Sequence, residues 1–309
     1  MHRLVTTLGL AAALLAPQAP PASAAPARPV SHRFACADYS GGKVFLVGAD
    51  GKVEWEHPAP SCNDLWVLPS GNILFTTGRG VLELTRDKKT VFAYTSESEI
   101  YACQRLPNGN TFVGECSAGR LLEVGPTGTI VKELKLLPDG KGGHGYMRNA
   151  RALPNGHYLC AHYGLGCVRE YDAEGKIVLE IPAPGGPHSC ARLPNGNTLV
   201  ATADKKGPAE CKVFETDPKG KTVWEITNAD LPEGVSFKFM AGFHRLPNGN
   251  TVMSNWLGHG QFGKAPLLIE VTPDRKVVWT FADHQTMKTI STVQVLDAPA
   301  NALKGEVLH

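Results

Sequence analysis

One five-residue phrase recurs through this chain and limits its fold more than any other feature. It reads Leu68-Pro69-Ser70-Gly71-Asn72, then Leu106-Pro107-Asn108-Gly109-Asn110, then Leu153-Pro154-Asn155-Gly156-His157. Two more copies are Leu193-Pro194-Asn195-Gly196-Asn197 and Leu246-Pro247-Asn248-Gly249-Asn250. Proline presets φ for the first turn position, and glycine takes the left-handed conformation without a Cβ clash. Apolar, β-prone residues flank the phrase, as at Thr198-Leu199-Val200. Each copy therefore predicts a tight hairpin turn between two strands, here called A and B. The copies recur at about 40 to 50 residues, the range of a propeller blade.

A second turn follows each first one. Asp172-Ala173-Glu174-Gly175-Lys176 and Asp217-Pro218-Lys219-Gly220-Lys221 are clear copies. Weaker ones lie at residues 86–89, 126–128 and 273–276, and an unpartnered one at residues 49–52. These are outer hairpins joining strands C and D. Five inner turns face six outer turns, so one blade is split. Its strand B runs through Arg33 to Ala37, and its strand A fits residues 291–296 near the other end of the chain. Such closure removes open sheet edges and ties the ends of the ring together. The expected fold is all-β: a six-bladed β-propeller of four-stranded antiparallel blades, with the first blade closed by the C-terminal strand. Solenoid repeats are shorter, and a sandwich gives no reason for the split.

In such a ring the D-to-A and B-to-C connections share one end. Residues opening strand A and closing strand B then converge on one mouth of the central channel. Connections on a rigid scaffold are the usual place for function. Comparing the copies separates repeated positions from variable ones. Five residues past the inner turns stand Thr77, Glu115, His162, Thr202 and Asn255, and Asp38 is the matching residue of the split blade. All are polar, yet no residue type dominates. Near the start of strand A lie Asn63, Asp64, Tyr101, Arg148, Asn149, His188 and Ser189. The ligand-binding candidates are Asp38, Asp64, Tyr101, Glu115, Asn149, Asn255, Trp256 and His259. His144, His162 and His188 are further mouth-side histidines. Arg105, Arg192 and Arg245 each precede a turn leucine and are read as structural, while Trp224 and Trp279 repeat on outer strands as core.

Residues 1–24 have the layout of a secretory signal peptide. His2 and Arg3 precede an apolar run from Leu4 to Ala16, and Ala22-Ser23-Ala24 is a small-x-small cleavage site. The run is too short for a transmembrane helix, which needs about 20 residues. Residues 25–309 are then a single β-propeller domain, exported to the periplasm or cell surface, with no membrane span. The net charge of +2 comes from both signs spread along the chain, which argues against a nucleic-acid partner. The eight cysteines are even in number, which permits disulfides in an exported chain. Cys103 and Cys190 hold matching strand-A positions, and Cys36 and Cys160 matching strand-B positions, which favours packing. A bridge between Cys103 and Cys116, on one hairpin, is an alternative. Oxygen donors at Asp38, Asp64, Glu115, Asn149 and Asn255 suit calcium, though no spacing gathers them. Cys116, His162 and Cys190 are the set open to a transition metal. No nucleophile elbow, Walker loop or dinucleotide fingerprint occurs.

The paired L-P-N-G-N-x-L-V and D-x-x-G-K-x-V-W phrases resemble the repeat of bacterial exported PQQ-like propellers. They are also similar to the repeat of the six-bladed aryl-sulfate sulfotransferases, over nearly the whole chain beyond the leader. The resemblance implies a histidine that accepts a sulfuryl group with help from further His and Arg residues. His162, His188 and Arg148 are the candidates here for those catalytic roles. Quinone-dependent dehydrogenases use larger propellers, so no quinone cofactor is expected. The leading expectation is a binding or interaction propeller for a small molecule, glycan or protein at the mouth. The alternative is an enzyme on the same mouth, either a histidine-dependent sulfuryl transferase or a calcium-dependent hydrolase of a lactone-like ester.

Overall fold

Each of the five inner-turn phrases makes the turn its chemistry predicts. In all five copies the leucine amide donates to the carbonyl of the last phrase residue, and the glycine amide to the leucine carbonyl, at 2.8–3.0 Å. The five glycines hold φ between 83° and 89°, where a Cβ would be strained. This computed structural model describes Met1, residues 30–137 and residues 140–309. The expected leader, residues 1–24, lies outside the described residues apart from Met1.

Strand order confirms the split blade. Blade one contains β1 (Phe34–Asp38), β2 (Lys43–Val47) and β3 (Val53–Pro58). Blade two is β4 (Leu65–Val67), β5 (Ile73–Thr76), β6 (Gly80–Leu84) and β7 (Thr90–Thr95). Blade three is β8 (Ile100–Arg105), β9 (Thr111–Glu115), β10 (Arg120–Val124) and β11 (Ile130–Lys135). Blade four is β12 (Asn149–Ala152), β13 (Tyr158–His162), β14 (Cys167–Tyr171) and β15 (Ile177–Pro182). Blade five is β16 (Pro187–Arg192), β17 (Thr198–Thr202), β18 (Val213–Thr216) and β19 (Thr222–Ile226). Blade six is β20 (Met240–Arg245), β21 (Thr251–Asn255), β22 (Leu268–Val271) and β23 (Val277–Phe281), and β24 (Thr292–Val295) returns to blade one. That sheet has the order β24-β1-β2-β3, with Phe34 opposite Val295 and Ala37 opposite Thr292. No helix among the described residues is long and apolar enough to cross a membrane.

Strands A and B are buried almost throughout, whereas the D strands expose alternate residues such as Val131, Val178 and Val223. That gradient is what a ring of sheets packed face to face requires. Polar clamps bind the blades at the inner-turn end. Glu83 accepts the side-chain amide of Asn72 from its own blade and the guanidinium of Arg105 from the next. Glu170 takes His157 and Arg192 in the same way, and Glu215 takes Asn197 and Arg245. Glu270 pairs with Asn250 and with His32, so a histidine fills the arginine's place where the ring closes. Trp224 donates its indole N–H to the Pro273 carbonyl of the next blade, and Trp279 packs on Phe34 across the closure.

Two features of the channel were not foreseen. Arg151 of β12 crosses it to pair with Asp64 of the second blade at 2.7 and 3.0 Å, both side chains buried. Beyond β24 the backbone continues over the inner turns, and His309 ends buried between Trp66 and His244.

All eight cysteines are buried thiols. The expected alternative of a Cys103–Cys116 bridge fails on register, because Cys103 stands opposite Val113. Its Sγ lies against the Asp64 carbonyl, while that of Cys116 donates to the His144 carbonyl.

Candidate functional site

A cavity of about 210 Å³ opens where strands A begin and strands B end. Tyr101 opens β8, Arg148 precedes β12, and His188 lies on β16. Asn63 precedes β4, and Phe239 and Ala241 flank the start of β20. Tyr39, Tyr163, Trp256 and His259 come from B-to-C connections, and His144 from the connection before β12. The predicted convergence of two sets of connections on one mouth is thus what builds the pocket.

Arg148 is the cation of this cavity. Its guanidinium carbon lies 4.5 Å from the ring centre of Tyr101 and 5.0 Å from that of Tyr163. Such stacking is attractive because the faces of aromatic rings are electron-rich. Among the described residues no carboxylate pairs with it, and its buried Nε has no hydrogen-bond partner. Burial raises the pKa of both phenols, so they stay neutral and leave the charge uncompensated.

His188 is held in one tautomer. Its Nδ1–H donates to the Ala241 carbonyl at 2.8 Å, which leaves a lone pair on Nε2. Burial, and then the nearby charge of Arg148, push its pKa down to about 3. The ring stands edge-on to Phe239 and Tyr101. His144 differs: it is largely exposed and bonds Glu99 at 2.9 Å.

The remaining wall depends on two glycines. A Cβ on Gly186, whose φ is +82°, would stand 2.8 Å from the Tyr163 ring. One on Gly258 would stand 2.1 Å from the Trp256 indole. The indole therefore folds over a bare backbone, and the next residue, His259, takes φ 51° with its ring 4.9 Å from Trp256. A non-glycine residue held there is uncommon and marks a tightly determined loop. Phe239, Trp256 and His259 also wall a second hollow of about 500 Å³, lined further by Asp204, Ser236, Lys238 and Gln261.

Of the sequence candidates, Tyr101, Arg148, His188, Trp256 and His259 meet in the pocket. Asp38, Asp64, Glu115, Asn149, His162 and Asn255 lie outside it. Asp38 accepts the amides of Gly41, Lys288 and Thr289 and the Thr289 hydroxyl. Asn255 accepts the Lys238 amide with its Oδ1 and donates its Nδ2 to the Ser236 and Pro266 carbonyls. Glu115 takes Arg120 and the Tyr94 hydroxyl, and Asp64 takes Arg151. His162 bonds the Tyr171 hydroxyl at 2.8 Å, and burial lowers its pKa to about 4. Asn149 is buried beside the Cys190 thiol. These polar groups fasten connections to strand ends, and each connection asks for different chemistry. That explains why they vary between blades without facing a ligand.

Two pocket residues absent from the sequence candidates, Tyr39 and Tyr163, lie one place past Asp38 and His162, as the named candidate Trp256 lies one place past Asn255. Side chains alternate faces along a strand, so the positions after the polar ones turn toward the mouth. They read Tyr39, Gly78, Cys116, Tyr163, Ala203 and Trp256. Three of the six are aromatic, and those three line the pocket. Among the described residues no three His, Cys, Asp or Glu side chains gather as a metal site.

No protein-family model matches the chain, and no curated protein does. Solved structures do. A protein of unknown function from Bacteroides caccae aligns with a TM-score of 0.76 at 26% identity, covering 85% of this chain and 98% of that one. A streptogramin B lyase aligns at 0.57 and 16% identity, covering 81% and 79%. A catalytically inactive virginiamycin B lyase from Staphylococcus aureus, with quinupristin, aligns at 0.55 and 15% identity, covering 81% and 84%. Repeat, sheet order and these likenesses agree on one conclusion: the chain is a six-bladed β-propeller.

Proposed function

We propose that the mouth pocket binds a small organic anion, a sulfate, carboxylate or phosphate group carried on a flat apolar body. The observation behind this reading is Arg148, a permanent cation stacked between two tyrosines with no carboxylate partner among the described residues. A half-buried guanidinium without a carboxylate partner gains from a charge-assisted bond to an anion. Phe239, Trp256 and the tyrosine faces supply area for a planar ring. The protein then acts as a ligand-binding module, exported if the leader-like segment 1–24 is cleaved as its sequence suggests.

Thermal shift with 4-nitrophenyl sulfate tests this. The anion raises the melting temperature progressively with its concentration above Kd, by linkage, and neutral 4-nitroanisole does so far less. Equal shifts from both, or none from either, contradict the reading.

One observation favours a catalytic use of the same pocket. The anchored His188 presents an unprotonated Nε2 beside Arg148. In sulfuryl transfer that nitrogen forms the N–S bond as the S–O bond to the phenol breaks, and an acceptor phenol later takes the group from it. Release of 4-nitrophenolate beyond one equivalent per protein only when an acceptor phenol is present, and its loss in His188→Gln, would establish this. Lyases share the propeller shape, but a fold hosts many functions, so the site must decide. The calcium-dependent alternative has less support, because Asp38, Asp64, Glu115 and Asn255 are each engaged by protein groups.

A further inference from the structure

The opposite end of the ring is filled by the chain itself. Residues 302–304 form a 3₁₀ turn, and Ala302 and Val307 pack on the core of blades two and three. The Leu308 carbonyl accepts the Arg245 amide at 3.0 Å. The main-chain oxygen of His309 accepts Arg151 Nε at 2.8 Å. The His309 imidazole lies 4.2 Å from the Trp66 ring and is 2% exposed, yet neither of its nitrogens has a partner. His244 faces it at 6.0 Å between ring centres. Nδ1 of His244 accepts the Val295 amide, and its Nε2 is likewise unpartnered.

The segment is bound as a peptide ligand would be: one β-bridge, two apolar anchors, and one aromatic side chain in a deep slot. We propose that the inner-turn mouth is a peptide-binding site whose resident occupant is the segment Asn301–His309, and that acidification releases it through the buried histidines. This inference does not depend on the organic-anion pocket at the other mouth.

The charges around the slot set the direction. Arg151 and Asp64 neutralise each other. Arg192 and Lys304 line the same hollow, and Glu306 accepts the Asn301 amide. Arg245 pairs with Glu215, and beyond His244 stands His32, paired with Glu270 and Asp297. No carboxylate among the described residues is left for a charged His309. Burial, then Arg151 and His244, hold its pKa well below the ordinary value, and burial puts His244 at about 3. A released histidine returns to about 6.5. The docked state therefore binds fewer protons than the open one. Docking is complete above that value and weakens as pH falls, by up to about tenfold per unit for each histidine that titrates.

Hydrogen exchange of the full chain, corrected for intrinsic rates, measures the opening of residues 299–309 between pH 7.5 and 5.0. Opening is expected to rise about 10- to 100-fold per pH unit below about 6.5, while β9 amides stay protected. His309→Phe keeps the stack on Trp66 and should flatten that dependence. A labelled synthetic peptide of residues 301–309 carrying the same substitution should bind the wild-type chain at pH 5.5 and not at pH 7.5. The proposal is overturned if protection of 299–309 does not change with pH, if the variant titrates like wild type, or if the peptide fails to bind at pH 5.5.

Discussion

At the scale of single residues, the mouth separates two kinds of polar group. Arg148 and His188 line the pocket with Nε of the arginine unpartnered, whereas Asp38 and Asn255 spend their polar atoms on backbone groups and His162 spends Nε2 on the Tyr171 hydroxyl. His162→Ala therefore acts on stability. It removes a buried ring and that ring's bond to the Tyr171 hydroxyl, for a loss of about 2–4 kcal/mol. Urea unfolding should show that loss, and affinity for 4-nitrophenyl sulfate should be unchanged. Comparison among the blades found the strand ends, but Asp38, Glu115, His162 and Asn255 lie outside the pocket, while Tyr39, Tyr163 and Trp256, each one place past such a residue, line it. Polarity and variability mark a ligand site and a loop anchor alike, and only the alternation of side chains distinguishes them. The opening residues of strand A were easier, because Tyr101, Arg148 and His188 have no parallel demand from the turns.

At the scale of elements, the inner hairpins were legible because their turn chemistry is local. Arg105, Arg192 and Arg245 were readable as structural for the same reason, since their position repeats; the structure pairs each with a glutamate of the preceding blade. Arg151 stands one residue earlier in its strand and follows no such rule, so its channel pairing with Asp64 was hidden. The 256–259 connection was hidden too, because its shape comes from a ring lying over Gly258. Gly258→Ala forces that indole aside. The expected result is a changed Trp256 fluorescence and at least tenfold weaker anion binding, with global stability lowered by about 1–3 kcal/mol, as for an added methyl at a buried position. A tryptophan signal and an affinity both equal to wild type would show that the loop does not set the wall.

At the scale of the whole molecule, arithmetic on the repeats located the closure: five inner turns against six outer ones require a strand from the far end of the chain, and β24 supplies it. The same arithmetic is silent on residues 301–309, which belong to no repeat and are held by contacts distant in sequence. The result is a ring with unlike ends. One mouth is occupied by the protein's own segment, and the other holds an aromatic cavity around Arg148, which has no carboxylate partner among the described residues. That asymmetry is the core of the functional account, and it rests on Arg148. Calorimetric titration of wild type and Arg148→Met with 4-nitrophenyl sulfate tests it most directly. Methionine keeps much of the apolar stem and removes the charge, so the account predicts a folded variant with affinity reduced by at least tenfold, about 1.4 kcal/mol. Wild-type affinity in that variant would contradict it.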